Sequence, residues 1–336
     1  MGVWCDTMNT PLRIAFHGLN AQQFRSGFEE LIGPGHSIVE LSDNLNQPGE
    51  REHFENAEVI IGVRLTSDMP RPLKLKLYHA PAAGTDAIDV RLLPESASLC
   101  NCFGHEQAIA EYVMAALLSR HVPLAAADAH LRGGSWTYWA GTPGALRTEL
   151  GAQTLGVLGL GHIGKTLAAR GKAFGMRVHA CNRTAIADPH VDQFWPLDEL
   201  HAFMASADAL VVTLPLTDNT RGLVDAQALG AMRPQAVLIN VGRGPVVDEE
   251  ALFDALRTRR IAAAFIDTWY QYPSAGQVTG APSRYDFASL DNVIMTPHMS
   301  GWTHGTVSRR QLTLAENVRR LGNGQPLINQ LLAPRV

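Results

Sequence analysis

Three short stretches in the second half of the chain each follow an apolar run with a residue suited to polar chemistry. Asn240-Val241-Gly242-Arg243-Gly244 sets an arginine between two glycines, Asp267 closes the run Ala262 to Ile266, and Thr296-Pro297-His298 follows Val293 to Met295. A guanidinium at the carboxyl end of a strand can clamp a carboxylate with two hydrogen bonds. Taken alone, Arg243 reads equally well as a solvated side chain on a turn. A histidine titrates near working pH and can give a proton to a carbonyl oxygen undergoing reduction. Of thirteen histidines, it is the position just past a strand that singles out His298.

Upstream, residues 154–164 read TLGVLGLGHIG, an apolar run closing in Gly159-x-Gly161-x-x-Gly164. The first glycine permits a tight strand-to-helix turn, the second lets the backbone approach a pyrophosphate, and the third lets the helix pack against its strand. With His162 and Ile163 between the glycines, the helix start offers free N–H groups to phosphates. A strand-like stretch before it, a helix-like stretch from Ile163 to Phe174 and a second strand from Met176 to Ala180 complete a βαβ unit, which points to a dinucleotide. NAD sites place an acid near the end of that second strand, whereas an arginine suits a 2′-phosphate. Asn182, Arg183 and Thr184 stand there, so NADP(H) is favoured and NAD(H) is second.

The elements that must position these residues follow an α/β rhythm. Strands are expected at Leu12 to Phe16, Ser37 to Leu41, Val59 to Val63, Leu75 to Ala80 and Ser98 to Cys102. A helix follows from Glu106 to Arg120. Beyond the βαβ unit, strands are expected at Ala209 to Thr213, Ala236 to Val241, Ala262 to Ile266 and Val293 to Met295. A last amphipathic helix from about Gly305 to Leu321 could fold back onto the first layer, and Ser274 to Ser283 reads as a mobile loop. The expected division is a substrate domain of residues 1–103 plus 299–336 and a dinucleotide-binding domain of 104–298, with a ligand in the cleft between them.

The 336 residues, 46% hydrophobic and 18% charged, are those of an ordinary globular protein. A net charge of −4 without a basic block speaks against nucleic acid or an anionic membrane as partner. With no membrane-length apolar run and no signal-peptide core in Met1 to Thr10, a cytoplasmic protein is expected. Cys5, Cys100, Cys102 and Cys181 show no metal-ligand spacing; buried small hydrophobes are expected, and no metal.

In its ordered motifs the chain resembles the D-isomer-specific 2-hydroxyacid dehydrogenase family over nearly its whole length. GLGHIG is joined by LPLTDNTRGLV at Leu214 to Val224, LINVGRGPVVDEEAL at Leu238 to Leu252, the strand ending in Asp267, and NVIMTPH at Asn292 to His298. The resemblance implies a Rossmann-type cofactor domain inserted into a flavodoxin-like substrate domain, and a homodimer through helices near Glu106 to Leu131. It implies that Arg243 binds and polarises a small anionic 2-oxo acid, that His298 carries the proton, and that Asp267 holds the nicotinamide carboxamide. By the same resemblance Thr213, Leu214 and Pro215 line the adenosine half, with Val241 and Gly242 beside the cofactor. The backbone of Ala82, Ala83 and Gly84 would grip the substrate carboxylate. Arg64 matches a position that contacts anionic substrate tails or is simply a surface arginine; Trp302 either walls the pocket or packs.

Two departures stand out. Where the family has a glutamate before a proline, five residues past the aspartate, this chain has Tyr272, an uncharged phenol at neutral pH that cannot stabilise imidazolium as a carboxylate does. Where the family has an asparagine before the long helix, this chain has His105, followed by Glu106; these either line the pocket or form the first helical turn. The expected function is reduction of glyoxylate- or hydroxypyruvate-like acids. The alternatives are formate-dehydrogenase-like hydride transfer without a proton relay and a non-enzymatic cofactor sensor.

Overall fold

The computed structural model describes residues 10–274 and 277–334, so Cys5 and the Ala275-Gly276 pair of the expected mobile loop lie outside the described residues. Backbone contacts separate two units. One holds the residues up to Gly104, Ser274 and Gln277, and those from Trp302 onward; the other runs from His105 to Pro273 and from Val278 to Gly301.

In the first unit, β1 (Arg13–His17), β2 (Ser37–Leu41), β3 (Val59–Gly62), β4 (Leu77–His79) and β5 (Ser98–Cys100) form a parallel sheet in the order β2-β1-β3-β4-β5. A strand missed in the sequence, β13 (Gln330–Leu332), joins β5 antiparallel with an irregular register. It is only three residues long, with no alternation to betray it. Side chains alternate across the sheet and both faces are covered, which is why the strands read as unbroken apolar runs. Ile14, Phe16, Val59, Ile61 and Leu77 enter a core with α1 (Leu19–Gln22), α2 (Phe28–Ile32) and α10 (His304–Gly322), whereas Ala15, Ile60, Tyr78 and Leu99 meet Phe54 of α3 (Glu50–Asn56) on the other side. The last helix does fold back onto this layer. Its Leu314, Ala315 and Val318 are buried there, and the Asn317 amide donates to His79 Nε2 at 2.8 Å and to the Ile328 carbonyl at 2.9 Å. The strand expected through Cys102 stops at Cys100. Both cysteines nonetheless lie in one core, and burial pushes their thiols up to about 12, so they pack as small apolar groups.

The second unit carries β6 (Thr154–Leu158), β7 (Arg177–Asn182), β8 (Gln193–Pro196), β9 (Ala209–Val212), β10 (Val237–Asn240), β11 (Ala263–Ile266) and β12 (Val293–Met295), all parallel, in the order β12-β11-β10-β9-β6-β7-β8. This is the Rossmann-type sheet, inserted along the chain between the parts of the flavodoxin-like first unit; its strand order reverses between β6 and β9, the place where such sheets bind ligands. Edge strand β8, Gln-Phe-Trp-Pro, escaped the sequence reading because a proline and one short apolar pair do not distinguish a strand from a loop. On one face lie α4 (Glu106–His121) and α6 (His162–Ala173), which share a core with Leu155, Val157 and Ile239. On the other, α7 (Leu200–Ser206), α8 (Ala226–Ala231) and α9 (Glu249–Arg257) bury Leu158, Leu210 and Leu238. Pro123 ends α4, because it disfavours a helical Val122 and has no N–H to give. Beyond it, α5 (Leu124–Arg132) buries none of its residues. Among the described residues, no helix is long and apolar enough to cross a membrane.

Candidate active site

Each glycine of the β6–α6 turn meets a different physical demand. Gly159 has φ +104°, and a Cβ there would come within 2.8 Å of Thr213 Oγ1. Gly164 lies so close to the Gly159 carbonyl that a Cβ would collide with backbone, whereas the space around Gly161, the residue preceding α6, is open. A tight turn, a close helix and an unobstructed approach for phosphate are thus divided among the three residues, and the site fits a dinucleotide pyrophosphate. Thr213 Oγ1 donates to the Gly159 carbonyl at 2.7 Å and fixes the turn against β9. Asn182 ends β7; its amide donates to the Thr184 carbonyl at 2.9 Å, and Arg183 beside it is exposed. Gly242, buried with Val241, has no room for a Cβ, which would lie 2.7 Å from the Leu214 carbonyl; Pro215 is exposed just beyond.

Arg243 follows β10 on a turn fastened from both sides. The Asn240 amide donates to the Arg243 carbonyl at 3.2 Å, its Oδ1 accepts the Gly242 N–H at 3.2 Å, and a Cβ on Gly244 would strike the backbone of Trp269. That contact brings the arginine turn against the segment carrying Tyr272. Tyr272 Oη lies 3.0 Å from His298 Nδ1 and accepts the Trp269 N–H at 3.1 Å. His298 itself has φ +57°, a left-handed conformation uncommon for a side chain of this size. Burial of the imidazole pushes its pKa below the ordinary histidine value, Asp267 opposes this, and Arg243 adds to it. The His298 residue as a whole is exposed, so the shift reflects the protein packed around its ring.

Asp267 is fully buried, and both of its oxygens serve the histidine loop. Oδ1 accepts Thr296 Oγ1 at 2.6 Å and Met299 N–H at 2.9 Å; Oδ2 accepts Ser300 N–H at 3.0 Å. Tyr112 of α4 donates to Thr296 Oγ1 at 2.8 Å, because the threonine's own proton goes to the aspartate, and Trp269 Nε1 donates to the Thr296 carbonyl at 2.8 Å. Sequence reading missed Asn240, Trp269, Thr296 and Tyr112 in these supporting roles. Only their closeness to Arg243, Asp267 and His298 along the chain offered a signal, and Tyr112 lacked even that.

The family model described as D-isomer specific 2-hydroxyacid dehydrogenase, NAD binding domain, matches residues 114–300, more than half of the chain. This chain belongs to that family. It is 33% identical over 268 residues to a glyoxylate reductase of Aeropyrum pernix, covering 78% of this chain and 76% of that one. It is 28% identical over 311 residues to a D-3-phosphoglycerate dehydrogenase of Methanocaldococcus jannaschii; the match covers 89% of this chain but only 56% of that longer protein. The solved D-isomer specific 2-hydroxyacid dehydrogenase of Xanthobacter autotrophicus Py2, in complex with NADPH and MES, superposes with TM-score 0.77 at 28% identity, over 96% of this chain and 98% of that chain. The chain is accordingly a member of an oxidoreductase family that uses nicotinamide cofactors.

The remaining candidates of this dehydrogenase sort by unit. In the first, the loop after β4 has its carbonyls engaged: Pro81 accepts from Arg310, Ala82 from Cys102 N–H at 3.0 Å and Ala83 from the Asn101 amide at 2.7 Å. Among the described residues no protein acceptor meets the N–H groups of Ala82, Ala83 and Gly84, which leaves a run of donors suited to an anion. Arg64 is ion-paired with Asp68 at 2.9 Å, so the expected contact with a substrate tail would have to displace a carboxylate. Trp302 meets Phe24 edge to face at 6.0 Å, half-exposed. In the second unit, His105 stands at the N-cap position of α4 without a side-chain capping bond, its Nδ1 lies 3.6 Å from a Glu106 oxygen, and its Cβ approaches Gly301.

Proposed function

We propose that the chain is an NADP(H)-preferring D-2-hydroxyacid dehydrogenase working mainly as a reductase of small 2-oxo acids of the glyoxylate or hydroxypyruvate kind. The observation that carries this reading is the gathering of Arg243, Tyr272 and His298 at the carboxyl ends of β10, β11 and β12, in the same sheet as the glycine turn. Bound reduced nicotinamide supplies a hydride. Arg243 holds the substrate carboxylate and polarises the carbonyl, His298 gives the oxygen its proton, and the amides of Ala82 to Gly84 grip the carboxylate. Residues 104–298 form the dinucleotide-binding domain, which also carries Arg243 and His298, and 1–103 with 299–336 form the substrate domain. Turnover of NADPH and NADH with a panel of 2-oxo acids tests this; tight cofactor binding without any turnover would replace the enzyme by a sensor.

The cofactor preference rests on Asn182 where NAD sites carry an acid, and on exposed Arg183, which has no ion-pair partner among the described residues. NADPH in the Xanthobacter relative supports it. Arg183→Asp is expected to cut the NADPH over NADH preference at least tenfold in kcat/KM, as one charge-assisted phosphate contact is replaced by repulsion. An unchanged ratio would refute it.

We propose the homodimer on α5 and the segment after it. Leu124, Leu131, Trp136 and Trp139 are 75%, 51%, 66% and 65% exposed, an apolar display of the kind that marks a partner surface. Leu131→Asp is expected to shift sedimentation from dimer towards monomer; a wild type that sediments as a monomer would refute the dimer.

A further inference from the structure

A phenol stands beside His298, and its hydrogen bonds have a direction. The Trp269 N–H can only donate, so Tyr272 Oη accepts it. The phenol still carries its own proton, and among the described residues its one available acceptor is His298 Nδ1, 3.0 Å away. An imidazole that accepts at Nδ1 is neutral and bears its proton on Nε2. The rings meet at 5.6 Å with a 49° tilt, so they are inclined to one another rather than stacked.

We propose that Tyr272 is a positioning residue that donates its phenolic proton to His298 Nδ1, fixing the neutral Nε2–H tautomer, and that the two side chains form a two-proton relay for 2-oxo acid reduction. The inference rests on the reductase reading above. As the carbonyl carbon of the oxo acid receives the hydride, its oxygen takes the Nε2 proton and the N–H bond breaks. Nδ1 takes the phenolic proton at the same time, so imidazolate never forms. The negative charge ends on the Tyr272 oxygen, where burial and the Asp267 carboxylate oppose it while the Trp269 N–H and the Arg243 guanidinium favour it. A proton from water at Nε2 and return of the Nδ1 proton to the phenolate restore the starting state. Because an alkoxide is a stronger base than a phenolate, the relay runs downhill towards reduction and uphill towards oxidation at neutral pH.

The charged and titratable groups around the pair are Arg243 after β10, Asp267 at the end of β11, Tyr112 of α4 through Thr296, and His105 with Glu106 at the start of α4 near Gly301. Among the described residues, no carboxylate hydrogen-bonds with Nδ1.

The test is the pH profile of 2-oxo acid reduction with NADPH. Wild-type kcat is expected to stay level from about pH 6 to pH 8.5. In Tyr272→Phe only imidazolium can donate, so kcat should fall about tenfold per pH unit above the lowered His298 pKa while wild type stays level, with KM nearly unchanged. Tyr272→Glu should restore a carboxylate and move that alkaline fall upward. Identical profiles in wild type and Tyr272→Phe would overturn the relay. Nitrogen NMR of His298 in the substrate-free protein gives an independent readout: a bare Nδ1 and protonated Nε2 are expected, and a protonated Nδ1 would overturn the tautomer. If the wild type reduces no oxo acid, the reductase reading falls, and the NMR signal still decides the Tyr272–His298 bond.

Discussion

Arg243→Ala is expected to lower kcat/KM for a 2-oxo acid by about 10³-fold, a loss of about 4 kcal/mol in transition-state stabilisation. The size follows from two roles given to one side chain. A guanidinium clamps a carboxylate through paired hydrogen bonds, which raises KM when lost, and it faces charge developing on the carbonyl oxygen, which lowers kcat. Its backbone is held independently of its side chain, by Asn240 on both sides of the turn and by Gly244 against Trp269, so the alanine variant should fold and keep its cofactor affinity. A second signature separates an electrostatic role from a steric one. Arg243 depresses the pKa of both His298 and Tyr272, so its removal should let both kinetic pKa values rise. Arg243→Lys keeps the charge but not the planar fork and should recover only part of the rate. Wild-type kinetics in Arg243→Ala would remove this residue from the site.

How much of this arrangement could be read beforehand depends on the range of the interaction. The glycine turn was legible because its requirements are local: Gly159 meets Thr213, and Gly164 meets Gly159 itself. Arg243, Asp267 and His298 were legible as residues just past apolar strands, and parallel pairing then brings successive strand ends to one edge of the sheet. The hydrogen bonds that orient them were not. Tyr112 reaches Thr296 across 184 residues, and nothing in the helical pattern of α4 marks its hydroxyl. Nor could the sequence say that Tyr272 touches His298; it said only that a carboxylate was missing. The Arg64–Asp68 ion pair is local, four residues apart, yet a resemblance that matches Arg64 alone overlooks the acid beside it.

Asp267→Ala is expected to destabilise the second unit by about 3–5 kcal/mol and to lower kcat by about 10²-fold, the two effects having one origin. The carboxylate is sealed from solvent and accepts three donors from the loop 296–300. Removing it leaves the buried Ser300 N–H without an acceptor, at about 1–3 kcal/mol, and turns the Thr296 hydroxyl to the distant Ile266 carbonyl at 3.5 Å, while exposed Met299 can turn to water. His298 stands inside that loop in a left-handed conformation, which costs free energy and persists only while its surroundings enforce it. Once the anchor is gone the loop is expected to relax, and the imidazole leaves the 3.0 Å contact with Tyr272. Asp267→Asn should fall between the two, since its oxygen can still accept from Thr296 and Met299 but its amide would face the Ser300 N–H donor to donor. Thermal unfolding and single-turnover reduction, measured on both variants, separate the readings. A variant with the full stability loss but an unchanged rate would mean that His298 holds its place without the aspartate, whereas loss of rate at wild-type stability would move Asp267 from anchoring the loop to direct contact with the nicotinamide.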